Sequence, residues 1–199
     1  PYFDDSQWSL AVTVDSPSPL LVSQTMQPMR VTREIPAVSM KAFGDTVFVF
    51  DLGINLSGVC NIKLKGEEGT KVTLTHGELI KDNGRIEMRN LDIYYNPMEG
   101  IEFQTDTYFL KGEGEESFTP EFTYHGFQYV EVRSDKPVQL SKNDLTAHFI
   151  HTDLEKTGHF SCSNELLNKI WAATNQSYLS NLHSIPTDCP QREKNGWTA

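Results

Sequence analysis

The chain has 199 residues, 38% of them hydrophobic and 22% charged, with a formal net charge of −10. That length supports one large or two small cores, and the composition excludes wholesale disorder. An acidic balance without any run of Lys or Arg argues against a nucleic-acid or anionic-membrane partner, and no apolar stretch nears the roughly 20 residues of a bilayer crossing.

The chain opens Pro1-Tyr2-Phe3-Asp4-Asp5, with no Met and no signal-peptide pattern, so it reads as an interior piece of a longer protein. Pro17, Pro19 and Pro28 then rule out helix interiors and central strands across the first thirty residues. A short aromatic segment at 3–8, a β-edge stretch and a linker are expected there.

From about residue 30 to 151 the pattern is β. The run 46–52 is apolar and β-branched and is expected to stop at Gly53. Residues 59–65 and 71–76 alternate at period two around the turn Gly66-Glu67-Glu68-Gly69, the mark of strands with one buried face. Asp82-Asn83-Gly84 is a turn signal that supplies positive φ. Strands are further expected at 105–111, 121–124 and 127–133. Short strands about ten residues apart without intervening helices predict an antiparallel β-sandwich.

The period then changes. Over 163–182, Leu167, Ile170, Trp171, Thr174, Tyr178 and Leu182 share one helical stripe, with Ser163 as expected N-cap and Pro186 as terminator. Such a helix needs helical partners to cover its stripe.

Cys60, Cys162 and Cys189 are too few and too scattered for a disulfide framework or a zinc site, and read as buried or free thiols. No phosphate-binding, dinucleotide or metalloprotease motif is present, so neither cofactor nor metal is expected. His76 and Glu78 flank Gly77 and read as a structural pair. The aromatic turn Tyr124-His125-Gly126-Phe127-Gln128-Tyr129 reads either as hairpin packing or as a sugar platform. Catalytic groups crowd only in the loop 188–197, where Asp188, Arg192, Glu193 and Trp197 lie together. Glycoside hydrolysis needs an acid to protonate the leaving oxygen and a second carboxylate across the ring, and tryptophan gives a sugar an apolar platform. By residue type alone, a solvated, salt-bridged surface explains the same loop.

Pro186-Thr187-Asp188-Cys189-Pro190-Gln191-Arg192-Glu193-Lys194-Asn195-Gly196-Trp197-Thr198 resembles the signature loop of bacterial α-L-rhamnosidases of glycoside hydrolase family 78. Phe50-Asp51-Leu52-Gly53-Ile54-Asn55 with Ser57-Gly58 resembles that family's Asp-Phe-Gly-x-Asn-x-x-Gly element. Gly69-Thr70-Lys71-Val72, His76-Gly77-Glu78, Thr105-Asp106-Thr107-Tyr108, the aromatic turn 122–130 and Gly158-His159-Phe160-Ser161-Cys162-Ser163 follow in the family's order. The resemblance implies the tail of a preceding sandwich module at 1–29 and a concanavalin-like (jelly-roll) β-sandwich at 30–151. It also implies the first part of an (α/α)6 catalytic barrel at 152–199, truncated after its first helix.

It further implies an inverting exo-glycosidase acting on terminal α-L-rhamnose of glycans or glycosides. Glu193 would be the general acid. Asp188 and Arg192 would bind rhamnose hydroxyls or set the ionisation of that acid, and Trp197 would shape the apolar side of the pocket. The acid should have a raised pKa, from burial beside Trp197 and the like charge of Asp188, with Arg192 opposing. The base is expected beyond residue 199, which would leave this chain inactive by itself. Secretion or periplasmic export suits a glycan degrader, but compartment and oligomeric state are left open. The rival class is a non-catalytic carbohydrate-binding or scaffolding sandwich that holds glycan on Tyr124 and its neighbours. A sandwich that only braces the barrel is compatible with the enzyme.

Overall fold

A computed structural model describes residues 4–92 and 102–197. Residues 4–28 form neither strand nor helix and are exposed, which corrects the β-edge stretch expected there. Their prolines withhold donors from a ladder, and Leu10, Val12, Val14 and Leu21 face solvent. The expected aromatic segment begins at Phe3, outside the described residues.

The strands are β1 (Met29–Pro36), β2 (Ser39–Ala42), β3 (Val47–Lys65), β4 (Lys71–Gly77), the hairpin β5 (Leu79–Ile80) and β6 (Ile86–Glu87), β7 (Thr105–Phe109), β8 (Glu115–Phe118), β9 (His125–Ser134) and β10 (Leu145–Thr152). One helical turn, α1 (Arg89–Asp92), follows β6. A 16-residue helix, α2 (Glu165–Ser180), comes after β10, followed by the short pair β11 (Leu182–His183) and β12 (Ile185–Pro186).

The sandwich is one antiparallel sheet folded over along β3, which runs for 19 residues. Its first half lies between β2 and β9, continued by β4 and β7. Its second half lies between β10, continued by β1, and β8. Gly53 therefore does not end a strand. It takes φ +71°, binds the Asp51 carboxylate through its N–H at 2.7 Å, and marks the register shift between Asp51 and Leu56 where β3 crosses from one leaf to the other. Gly58 cannot be replaced there, because a Cβ would collide with the backbone carbonyl of His148.

Strand alternation sends Phe48, Phe50 and Leu52 from one half of β3 and Cys60, Ile62 and Leu64 from the other into a single core with Val130, Val132, Leu145 and Ala147. Each large side chain so buried contributes about 1.5–3 kcal/mol. β4 shows the same rule, with Val72, Leu74 and His76 inside and Lys71, Thr73 and Thr75 outside.

Three further expectations change. Residues 121–124 are bends rather than a strand, with Phe122 fully exposed. The N-cap of α2 is Asn164, whose side chain accepts from the Leu166 N–H. The helix ends at Ser180 on an Asn181 cap, five residues before β12 begins, so Pro186 does not terminate it.

Candidate active site

The loop after β12 is closed at its neck. Thr187 bridges to Gly196, and the Trp197 N–H donates to the Pro186 carbonyl at 2.8 Å. Inside this neck Asp188 accepts from the Cys189 N–H at 2.8 Å and the Asn195 N–H at 3.0 Å, while its own N–H donates to the Asn195 carbonyl. Asp188 thus ties both limbs of the loop together.

Glu193 is partly exposed at the tip. Its Oε2 accepts from the Cys189 thiol at 2.8 Å and faces Arg192 Nε at 3.3 Å. The thiol first, then its own backbone N–H, and to a smaller degree Arg192 hold this carboxyl below the usual carboxylate range. The raised pKa expected from the sequence is therefore corrected: among the described residues nothing desolvates Glu193 strongly, and Trp197 stands 72% exposed. Asp188, Arg192 and Glu193 do come together, and one ligand atom each of Asp188, Cys189 and Glu193 lies within 4.8 Å of the other two.

The loop rests on the start of β9. A Cβ on Gly126 would come within 2.8 Å of Pro190 Cγ and 2.9 Å of Gln191 N, so the glycine of the aromatic turn is where the loop sits against the sandwich. Lys194, at φ +54°, sends its ammonium to the Tyr124 carbonyl and over the Tyr124 ring at 4.4 Å. His183 stacks on that ring at 4.0 Å. Tyr124 thus packs against the loop and Phe127 is wholly buried, while Tyr124, His183 and the exposed Phe122 also line a second cavity of about 550 Å³.

Beneath the turn lies a buried polar cluster. His125 Nε2 bonds the Asp106 carboxylate at 3.0 Å and stacks on His76 at 4.2 Å. His76 Nδ1 meets the Gln104 carbonyl at 3.0 Å. Gln104, at φ +50°, donates to the carbonyls of His76 and Gly126 and accepts from the Gly126 N–H. Burial first, then the neighbouring His125, push His76 well below the ordinary imidazole value, so it is neutral. His76 and Glu78 do not act as a pair: Glu78 instead accepts from Asn55 at 2.8 Å.

A groove of about 780 Å³ runs between the sandwich, α2 and the limb of the loop bearing Asp188 and Cys189. Asn55, Glu78 and Gln176 line it and Glu193 does not, so it marks where α2 leans on the sandwich. Sequence reasoning missed Cys189, Lys194 and the His76–Asp106–His125 cluster. All of them lie inside stretches already quoted for their family resemblance, but nothing in those stretches marks the contacts they make.

Residues 41–151 match the family model described as the bacterial alpha-L-rhamnosidase concanavalin-like domain. The chain belongs to the bacterial α-L-rhamnosidase family. Residues 155–199 match that family's 6 hairpin glycosidase domain. An alpha-L-rhamnosidase of Streptomyces avermitilis is 37% identical over the whole chain, and one of Alteromonas sp. is 32% identical. Among solved structures, a rhamnosidase of Dictyoglumus thermophilum has a TM-score of 0.82 and 39% identity over 99% of the chain. The Streptomyces avermitilis rhamnosidase complexed with L-rhamnose has a TM-score of 0.79 and 37% identity over the full chain. The chain spans about a fifth of the length of these rhamnosidases: 18% and 21% of the two relatives, 22% and 19% of the two structures.

Proposed function

We propose that the protein to which this chain contributes removes terminal α-L-rhamnose from a glycan or glycoside by an inverting, exo-acting hydrolysis, with Glu193 as its general acid. The observation that carries this reading is the state of Glu193. It is a carboxyl presented at the tip of a loop that Asp188 closes, with one oxygen held by the Cys189 thiol and faced by Arg192. A solvated surface acid has no such fixed geometry, whereas proton transfer to a leaving oxygen requires it.

Asp188 is not the water-activating base in this scheme. Inversion needs carboxyls roughly 6.5–9.5 Å apart, with a water between them. The nearest oxygens of Asp188 and Glu193 are within 4.8 Å, and one Asp188 oxygen is occupied by two backbone N–H groups. Asp188 shapes the loop, Arg192 orients the acid, and Trp197 offers an uncovered ring to the apolar side of a sugar. Because Glu193 has a lowered pKa here, the reading also requires sugar and further walls over its open side to keep it protonated at working pH.

The test is hydrolysis of a natural rhamnosyl disaccharide and an aryl α-L-rhamnoside by the full-length protein and its Glu193→Gln variant. Loss of about 10²-fold or more on the disaccharide is the expected outcome. A variant as active as its parent, or a parent inert on every rhamnoside, would overturn the assignment.

A further inference from the structure

We propose that Lys194 is a positioning residue that pins the loop carrying Glu193 into the β-sandwich, so that the sandwich fixes where the acid stands; this rests on Glu193 being the general acid. The residue next to the acid points the opposite way. Lys194 takes a left-handed backbone conformation at φ +54°, which is unfavourable for a non-glycine residue and persists only where surrounding contacts impose it. The contacts are present. The ammonium donates to the Tyr124 carbonyl and lies 4.4 Å over the Tyr124 ring, whose own position is set by His183 stacked at 4.0 Å. Two residues on from Tyr124, within β9, the lack of a Cβ at Gly126 lets Pro190 and Gln191 close down on the strand.

The buried cluster supplies the counter-charge. Burial lowers the pKa of Lys194 on balance, Asp106, held by His125, opposes that shift in part, and the ammonium in turn lowers the pKa of His76. His76, Asp106 and His125 also form a donor set of metal-ligand type. A divalent cation fits poorly there, because Asp106 already holds His125 and the lysine cation shares its field. The cluster is therefore the electrostatic seat of Lys194. The loop is held at its neck by Asp188, at the acid by Cys189, and at the sandwich by Lys194, three points that leave the Glu193 backbone little freedom.

A displaced acid has a signature that a merely loosened fold lacks: its cost grows as the leaving group needs more protonation. The experiment compares kcat and KM of the full-length protein with its Lys194→Met, Lys194→Arg and Asp106→Asn variants. The substrates are α-L-rhamnosides whose leaving groups run from nitrophenol to a sugar alcohol, and melting temperatures are taken alongside. Lys194→Met is expected to lose on the order of 10- to 100-fold in kcat on the sugar leaving group and far less on the nitrophenyl one, with KM little changed. Lys194→Arg restores most of the loss, and Asp106→Asn repeats the pattern more weakly. Equal losses on every leaving group, or none, overturn the proposal. If Glu193→Gln itself shows no dependence on leaving group while the parent is active, the acid assignment fails and the role of Lys194 falls with it.

Discussion

At the scale of single residues, one oxygen of Glu193 receives the Cys189 thiol and faces Arg192 as well. Both interactions favour the charged carboxylate, the thiol more strongly, so removing the thiol must raise the pKa. In the full-length protein Cys189→Ala is expected to move the basic limb of the kcat/KM profile to higher pH, because the acid stays protonated further up. Cys189→Ser keeps a donor and should stay near the parent. A basic limb unmoved in the alanine variant would show that the thiol does not set the acid. The carboxylates, Arg192 and Trp197 were legible as one loop because they are contiguous. Cys189 was read as a bystander thiol because no spacing rule puts residues i and i+4 of an irregular loop in contact; such rules hold in helices. The contacts of Lys194 could not be read for a similar reason, since a left-handed non-glycine residue has no sequence signature. His76 and His125, 49 positions apart, meet only through the pairing of β4 with β9.

Between elements, the β5–β6 hairpin is fastened to β9 by a buried carboxylate. Glu131 is 2% exposed and accepts from Arg85 Nε and Nη2 at 2.7 and 2.8 Å, from the Ile86 N–H at 3.2 Å, and from Arg133 Nε at 2.6 Å. Burial pushes its pKa up, but the two arginines and the backbone N–H outweigh burial and the net shift is downward. A carboxyl whose folded pKa is depressed contributes stability above its ordinary value, lost as pH falls through the folded pKa. Glu131→Gln is accordingly expected to cost about 2–3 kcal/mol near pH 7, with the gap to the parent narrowing on acidification in thermal unfolding scans. A gap that stays constant with pH would refute the ionic account. The strands around this pair were readable from period two, as β4 shows, and the hairpin from Asn83-Gly84, where Gly84 takes φ +86° and the Asn83 side chain accepts from the Arg85 N–H. The break at Gly53 was misjudged because a glycine that stops a strand and one that kinks it look alike locally. The neighbours β2, β9, β10 and β8 decide that β3 continues.

For the molecule as a whole, the sandwich and the helix rest on different kinds of support. The core gathers apolar side chains from both leaves, whereas α2 adds only Leu179 near its end to that core and otherwise reaches the sandwich through Gln176, which donates to the Asn55 carbonyl at 3.2 Å and accepts from Arg33 at 3.1 Å. Of the stripe read from the sequence, Leu182 lies beyond the helix in β11 and is buried there, and Leu167, Ile170 and Tyr178 are about half exposed, so burial of the helical part contributes little here. A 16-residue helix is close to the length at which isolated helices are marginal, and packing of the apolar face normally supplies the difference. Hydrogen exchange on the 199-residue chain should therefore place the slowest amides in β3, β9 and β10. The amides of α2 should open at a free energy lower by on the order of 3 kcal/mol, roughly 100-fold faster. If α2 exchanges as slowly as β3, its polar contacts are enough to hold it and the exposed stripe is not what limits the helix. If it exchanges fast, the loop bearing Glu193 keeps its place chiefly through its seat on β9, which is the arrangement that makes Lys194 matter.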